Sequence, residues 1–445
     1  MSGASCTLVP LRRVARIVNG GTPGPAERFW GGNIPWATPV DLNKVDGGWL
    51  TATDRTITDD GLADGSTLIP AQSVVISSRA PIGYIANSAV PIAFNQGCKG
   101  IVPITHNTNA RFLLYALQSQ IDYLKTLGQG STFLEVGTSQ VASLKIPWTN
   151  PATQFRIADY LDHETAEIDQ FITGLKSLQD LSTERTEARM IQTIQTGEWS
   201  ADDLIGTGIP EWPQAPTSWR HARLKSTIRD VRNGAWGEDP ETDGEIRRCI
   251  RVADFSKASA SIHNNAVTSR SYTQPQARDL SLETGDLIIE KSGGGPTTPV
   301  GNVVLYSGPG GDMYSNFVAR IRLADGIDKT YAVWLHRSLY LNQVTHRSIK
   351  QTTGIQNLDA DSYFNESIFV PPHEEQHRIG SSVAKMVALQ DELRTEIRKS
   401  ITLARERRAA LITAAVTGQI DVTARHKPVA EQLEDDIAQG LHREN

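Results

Sequence analysis

His373-Glu374-Glu375-Gln376-His377 has the H-E-x-x-H spacing, which sets two imidazoles one helical turn apart with a carboxylate beside them. A zinc hydrolase built on that pair needs both histidines inside a formed helix, a third ligand and an open coordination position. Here the string begins immediately after Pro371-Pro372, so His373 falls in the first, fraying turn of a helix. The place where a metzincin carries its third histidine holds Val383, leaving Glu392 or Glu396 as third ligand. A zinc-dependent hydrolase is therefore an alternative, and the expectation is that no metal is bound.

The other chemistry-bearing patterns are missing. Gly293-Gly294-Gly295-Pro296 and Gly308-Pro309-Gly310-Gly311 lack the lysine of a phosphate loop and the strand-to-helix context of a dinucleotide site, so they read as loops. There is no G-x-S-x-G elbow, and Asn150-Pro151-Ala152-Thr153 is a poor substitute for the N-P-P-aromatic signature of an amino-methyltransferase. No catalytic residue and no cofactor is assigned to this chain.

Recognition remains. The loop Asn19-Gly20-Gly21-Thr22 offers backbone N–H groups and glycine freedom suited to close approach to a phosphate. Arg79 and Lys291 take matching places at strand ends, where a cation could reach base edges or phosphates. Two polar loops, with Gln129, Ser131 and Thr132 in one and Lys350, Gln351, Thr352 and Thr353 in the other, combine amides, hydroxyls and a basic group. Trp36 and Lys99 complete the candidate DNA-contacting set of the first half, and Asn233, Trp236, Arg251 and Ser292 that of the second. A basic run from Arg394 to Arg408 could face DNA or simply be a solvated helix face.

These residues must be held by something. Residues 1–150 and about 210–372 are rich in β-formers, glycine and proline, in short runs such as SVVISS, GCKGIVPI, DLIIEKS and NFVARIRL, with helix-like stretches at 111–127 and 330–347. That predicts α+β domains. The segments from Thr153 to about Gln195 and from Glu374 to about Val416 contain no proline, and their only glycines are Gly174 and Gly380. Apolar residues in the first fall at Ile157, Leu161, Ile168, Phe171, Leu175 and Leu178. In the second they fall at Ile379, Val383, Met386, Leu389, Leu393, Ile397 and Ile401. This is the narrow stripe of a coiled-coil helix, stopped by Gly197 and Gly418. At about 1.5 Å rise each makes a rod of roughly 65 Å. Its simplest partner is the other copy, antiparallel, with Ile157, Leu161, Ile168 and Leu175 against Val383, Met386, Leu393 and Ile397.

The chain is written twice. Gln154-Phe-Arg-Ile157 returns as Gln376-His-Arg-Ile379, 222 residues on (376 − 154), and Glu184-Arg185 returns as Glu406-Arg407 at the same offset. Fainter echoes run upstream in matched order: IPWATPVDL (34–42) with RCIRVADF (248–255), and RFLLYALQSQ (111–120) with TYAVWLHRSL (330–339). So long a period indicates duplicated domains with pseudo-twofold symmetry. The expected parts are a recognition domain at 1–150, a central helical segment at 151–199, a second recognition domain at 200–372 opening on a linker to 211, a C-terminal helical segment at 373–420 and a polar tail at 421–445.

The composition fits. The 445 residues, 39% hydrophobic and 21% charged, suffice for two to four domains. Cys6, Cys98 and Cys249 are in no paired spacing, which argues against a disulfide scaffold. No apolar run is long enough to span a membrane, and the N-terminus lacks a signal peptide's apolar stretch, so a cytoplasmic location is expected. A net charge of −6, from 44 Lys+Arg against 50 Asp+Glu, excludes a wholly basic surface but not local basic faces.

The junction IPWTNPATQFRIADYLDHETAEID (146–169) resembles the segment that opens the long helices of type I restriction-modification specificity subunits. PPHEEQHRI (371–379) and RRAALITAAVTGQID (407–421) resemble its second copy's beginning and end, and VNGGTPGPAERFWGGNIPWATPVDL (18–42) is similar to the opening of a target-recognition domain. The likeness covers about residues 8–421, with two departures: Thr153 where the family prefers Glu, and Gly380-Ser-Ser-Val-Ala384 in place of A-x-x-L-D. The resemblance implies a non-catalytic subunit whose two domains each read half of an asymmetric, bipartite double-stranded DNA target, with the paired helices as a ruler. It further implies docking of two methyltransferase subunits, which use S-adenosylmethionine to methylate adenine N6, and, in complexes that cut, two restriction subunits using ATP and Mg. A DNA-free interaction scaffold is the other alternative.

Overall fold

The computed structural model describes residues 6–422 except 80, 106, 129–133, 264, 266–267, 296–297 and 353. Gln129, Ser131, Thr132, Thr353 and nearly all of the expected tail lie outside the described residues. The chain forms two compact units, 1–174 with 400–445, and 175–399.

In the first unit, Thr7–Pro10 pairs antiparallel with Lys145–Trp148, bringing the two ends of the β-rich domain side by side. Between them lies a five-stranded sheet ordered Ala15–Asn19, Cys98–Pro103, Val74–Ser77, Ile85–Ser88 and Trp49–Leu50. A smaller sheet contains Trp30–Ala37, flanked by Thr56–Ile57 and, in parallel, by Ile92–Phe94. Helix Ala110–Gln118 backs the large sheet with Phe112, Leu113, Leu114 and Leu117, all buried against Ile76, Ile85 and Ile101 in one cluster. The stretch expected to be one helix at 111–127 is two, because the chain turns at Ser119–Gln120 before Ile121–Thr126.

The second unit repeats this order. Arg220–Arg223 pairs with Ser367–Val370. The main sheet runs Ile228–Asn233, Val318–Leu323, Leu287–Glu290, Val303–Leu305. Glu245–Ile250 pairs with Ser269–Tyr272 and, in parallel, with Met313–Tyr314, as Trp30–Ala37 does with its neighbours. Helix Lys329–Leu341 backs the sheet through Tyr331, Val333, Trp334 and Leu335.

Two long helices, Pro151–Thr196 and His373–Val416, carry the predicted proline-free segments. Gly197 and Gly418 follow them with φ of +62° and +74°, the left-handed stop a glycine adopts without steric cost. In the first unit Arg408 Nε lies 3.1 Å from Asp169 Oδ1, and Ile157 and Leu161 share a cluster with Ile412, Ala415 and Val416. In the second, Gln390 Nε2 donates to Ser182 Oγ (3.0 Å) and Thr183 Oγ1 (3.2 Å), while Met190 and Ile194 pack with Ile379 and Val383. In both units the numbers rise on one strand of the seam as they fall on the other: the segments pair antiparallel.

The seam is not wholly the expected one. Ile157, Leu161, Val383 and Ile397 are buried and Ile168, Leu175 and Met386 half-buried, but Leu393 is exposed (38%), as are Phe171 (55%) and Leu389 (66%). The inward positions 383, 387, 390, 394, 397, 401 and 404 alternate four and three apart, and two of them, Gln390 and Arg394, are polar. A stripe traced through apolar residues alone slips one place there.

Candidate nucleic-acid interface

Each unit seats its long helix on its β-rich domain through the same side chain. Gln154 Oε1 accepts from the backbone N–H of Asn109 (3.1 Å) and its Nε2 donates to Thr149 O (2.8 Å). Gln376 Oε1 accepts from Asp328 N–H (2.9 Å) and its Nε2 donates to Pro371 O (2.9 Å). Asn109 and Asp328 are themselves the N-caps of helices Ala110–Gln118 and Lys329–Leu341, so the glutamine ties a cap to the end of the returning strand. The two departures also find reasons: Asn150 Oδ1 caps the amide of Thr153 (3.0 Å), and a Cβ on Gly380 would stand 2.6 Å from Tyr331 N, so only glycine lets the helix approach there.

His373 and His377 serve this seat. His373 Nδ1 is 3.0 Å from Gly326 O and His377 Nδ1 is 3.2 Å from Asp328 Oδ2. No group of three metal-ligating side chains occurs among the described residues, and no helix among them is long and apolar enough to cross a membrane.

The glycine loop departs from its expected role. Gly20 and Gly21 do not have positive φ. A Cβ on Gly20 would lie 2.1 Å from Asn95 O and one on Gly21 2.0 Å from Gly65 O, and Gly21 N–H already donates to Phe94 O (2.9 Å). Close packing is what requires glycine at both positions. Asn19 Oδ1 accepts from Thr138 Oγ1 (2.6 Å), and the exposed Thr22 hydroxyl bonds Gln96. Trp36 is buried and its indole N–H donates to Gly21 O (3.0 Å), which makes it a support for the loop rather than a contact surface. Lys99 is buried too, 3.8 Å from Glu135, whose other oxygen takes the half-exposed Arg79 at 2.8 Å.

In the second unit Asn233 and Trp236 are exposed on the turn after the first sheet strand. Gly234 there repeats Gly20, since its Cβ would meet Tyr314 O and Ser315 O at 2.3 Å. Trp236, Arg251 and Ser292 come together around a cleft of about 320 Å³ with Phe317, Glu290 and Ser315. Burial pushes the Glu290 carboxyl above its ordinary range, against the pull of Lys257 and Asn302. Arg251 is paired with Asp254 at 3.0 Å, and Ser292 Oγ donates to Asn357 Oδ1 (2.6 Å). Lys291 uses its backbone N–H on Phe317 O, and no partner is described for its half-buried side chain. The segment 350–356, expected as a loop, is mostly a hairpin of Ile349–Thr352 with Ile355–Leu358, in which Gln351 is exposed and Lys350 pairs with Asp359 (2.6 Å).

Residues 7–177 match the family model described as the type I restriction modification DNA specificity domain. Over those residues the chain is similar to the type I restriction-modification specificity family. The match covers the first domain and the start of the central helix, and the second unit rebuilds the same strands, caps and glutamine seat. The chain is 25% identical over 423 residues, 93% of each protein, to the type I restriction enzyme MjaIX specificity subunit of Methanocaldococcus jannaschii. It is 21% identical over 401 residues, 86% of this chain and 82% of the relative, to the StySPI specificity subunit of Salmonella potsdam. A chain from a solved structure concerned with complex assembly and conformational transition of the type I R-M system shares the fold, with a TM-score of 0.63 and 16% identity over 94% of this chain and 98% of that one.

Two cations were not among the expected contacts. Arg55 and Arg270 each stack on a tryptophan, at 3.5 Å over Trp30 and 4.5 Å over Trp236. The tryptophans come from unrelated stretches, so no spacing rule pairs them.

Proposed function

We propose that this chain is the DNA sequence-specificity subunit of a type I restriction-modification complex, and that each of its β-rich domains reads one half of a bipartite, asymmetric duplex target. The observation that carries this is the doubling. One cap-and-glutamine seat, one sheet order and one tightly packed glycine turn occur twice, while the residues exposed around them differ, as two readers of two different half-sites require. Polar and basic side chains at strand ends suit contacts to base edges and phosphates, Lys291 foremost and Arg79 on release from Glu135. The long paired helices with exposed Phe171, Leu178, Leu181, Leu389 and Leu403 suit docking of other subunits.

In this proposal reactivity belongs to neighbours. Two methyltransferase subunits supply S-adenosylmethionine-dependent methylation of adenine N6, and restriction subunits, where present, supply ATP- and Mg-dependent cleavage. A modest net negative charge is compatible with DNA binding when partners share the phosphate contacts.

The test is to exchange residues 1–150 for the corresponding domain of another family member and to sequence methylated adenines in cells carrying the complex. One half of the methylated motif should change and the other stay. A motif unchanged in both halves refutes the assignment.

A further inference from the structure

Arg55 precedes strand Thr56–Ile57 and Arg270 lies in strand Ser269–Tyr272, and each strand runs into a helix capped by a threonine, Thr58 or Thr273. The arginines are 215 residues apart (270 − 55), and so are the capping threonines (273 − 58). Both strands pair with the equivalent strand of their small sheet. The two arginines therefore occupy one structural position written twice, although the offset differs from the 222 of the helices because the loops between differ in length.

Each unit uses its own means to put an indole under that position. In the first, Trp30 and Trp36 meet edge to face at 5.1 Å and 87°, and their indole N–H groups donate to Gly24 O (2.9 Å) and Gly21 O (3.0 Å). Arg55 lies over Trp30 and 5.4 Å from Trp36. In the second, Glu238 and Ser271 exchange backbone hydrogen bonds of 2.9 and 3.0 Å, and Tyr272 OH donates to Ala235 O and Trp236 O, which fastens the Trp236 loop beside Arg270. A stacked guanidinium is fixed in orientation at little entropic cost; the Arg270 side chain is 18% exposed, with its Nε buried.

Most well-placed arginines of these domains are occupied. Arg79, Arg111, Arg248, Arg251 and Arg322 each hold a carboxylate. Arg55 is exposed, and its guanidinium has no hydrogen-bonded or ion-paired partner among the described residues. Arg270 has one, the exposed Asp239.

We propose that Arg55 and Arg270 form a duplicated phosphate clamp, one per recognition domain, each oriented by its tryptophan, with Asp239 holding the second in reserve. Phosphate is the ligand because the position is kept in both domains while the reading residues around it differ. What the two half-sites share is the sugar–phosphate backbone, not the bases. This rests on the DNA-reading function proposed above.

The experiment measures binding of the full chain to a random-sequence DNA duplex across salt. Losing one phosphate contact lowers the slope of log affinity against log salt by about 0.9, so between about 50 and 200 mM each of Arg55→Gln and Arg270→Gln should lose about 3.5-fold less affinity than the wild type. Arg55→Lys should keep the wild-type slope, and Trp30→Leu should weaken binding without adding to Arg55→Gln. Asp239→Asn should tighten binding, and only while Arg270 is present. Wild-type slopes in both Gln variants overturn the clamp while leaving the DNA-reading function standing. A wild-type chain that fails to bind the duplex at the lowest salt overturns both.

Discussion

Replacing Gln154 by Ala should unseat the central helix from the first domain, and the size of the effect follows from the geometry. The side chain is 1% exposed and satisfies two buried backbone groups, the N–H of Asn109 at 3.1 Å and the carbonyl of Thr149 at 2.8 Å. Each orphaned group costs about 1–3 kcal/mol, so the pair comes to about 2–6 kcal/mol. The informative companion is Gln154→Glu. A carboxylate still accepts from Asn109 but cannot donate to Thr149 O, whereas the protonated acid does both. Burial against a carbonyl raises the folded pKa above the unfolded value of about 4.3, so the unfolded chain releases its proton first as pH rises. The deficit relative to wild type should thus be small near pH 4 and grow by up to about 1.4 kcal/mol per pH unit until the folded pKa is passed. Hydrogen exchange at the Asn109 amide, with urea unfolding at about pH 5 and 8, reads both effects. Equal Asn109 protection in wild type and Gln154→Ala, or a Gln154→Glu deficit equal at both pH values, would refute the seat. The same pair of changes at Gln376, read at Asp328, should give the same pattern.

Gly20→Ala and Gly234→Ala should each destabilise by about 2–3 kcal/mol in urea unfolding, because the new methyl would meet carbonyl oxygens at 2.1 and 2.3 Å. His336 is fully buried, its Nδ1 2.8 Å from Tyr363 OH, and burial pushes its pKa down to about 4. As pH falls below about 6.5 the unfolded chain takes up that proton first, so up to about 3 kcal/mol is lost by pH 4, and His336→Phe should flatten the pH–stability curve there. Arg111, which reaches Asp162, Gly47 O, Asn87 and Tyr115, should cost about 3–5 kcal/mol on change to Met, seen as a lower thermal midpoint. Gln390→Leu should raise helix-pair stability by about 1 kcal/mol while relaxing its register, which cross-linking of cysteines placed along the seam would report.

The doubling and the long helices were legible because the seat recurs at constant spacing: Gln154 and Gln376 perform one task and could not drift relative to their helices. Strand runs such as Val74–Ser77 and Val318–Leu323 were legible as buried apolar stretches. The hairpin after Ile349 was not, since Lys350, Gln351 and Thr352 carry no apolar alternation. Gly20 and Gly21 pointed to conformational freedom, but the approach of Asn95 and Gly65, distant in sequence, is what requires them. Leu389 and Leu393 outshone Gln390 in hydrophobicity, and only the partner helix reveals which positions face inward. Arg55 and Arg270 escaped because their tryptophans come from Trp30, on one side of a loop, and from Trp236, on the other.

The strand pairs Thr7–Pro10 with Lys145–Trp148 and Arg220–Arg223 with Ser367–Val370 have an evolutionary corollary. A segment whose two ends zip together behaves as a cassette: homologous recombination with crossovers at the zipper and at the adjoining glutamine can install a foreign cassette without disturbing the remainder. New target preferences are then acquired wholesale, by shuffling between genomes, rather than by point mutation one loop at a time.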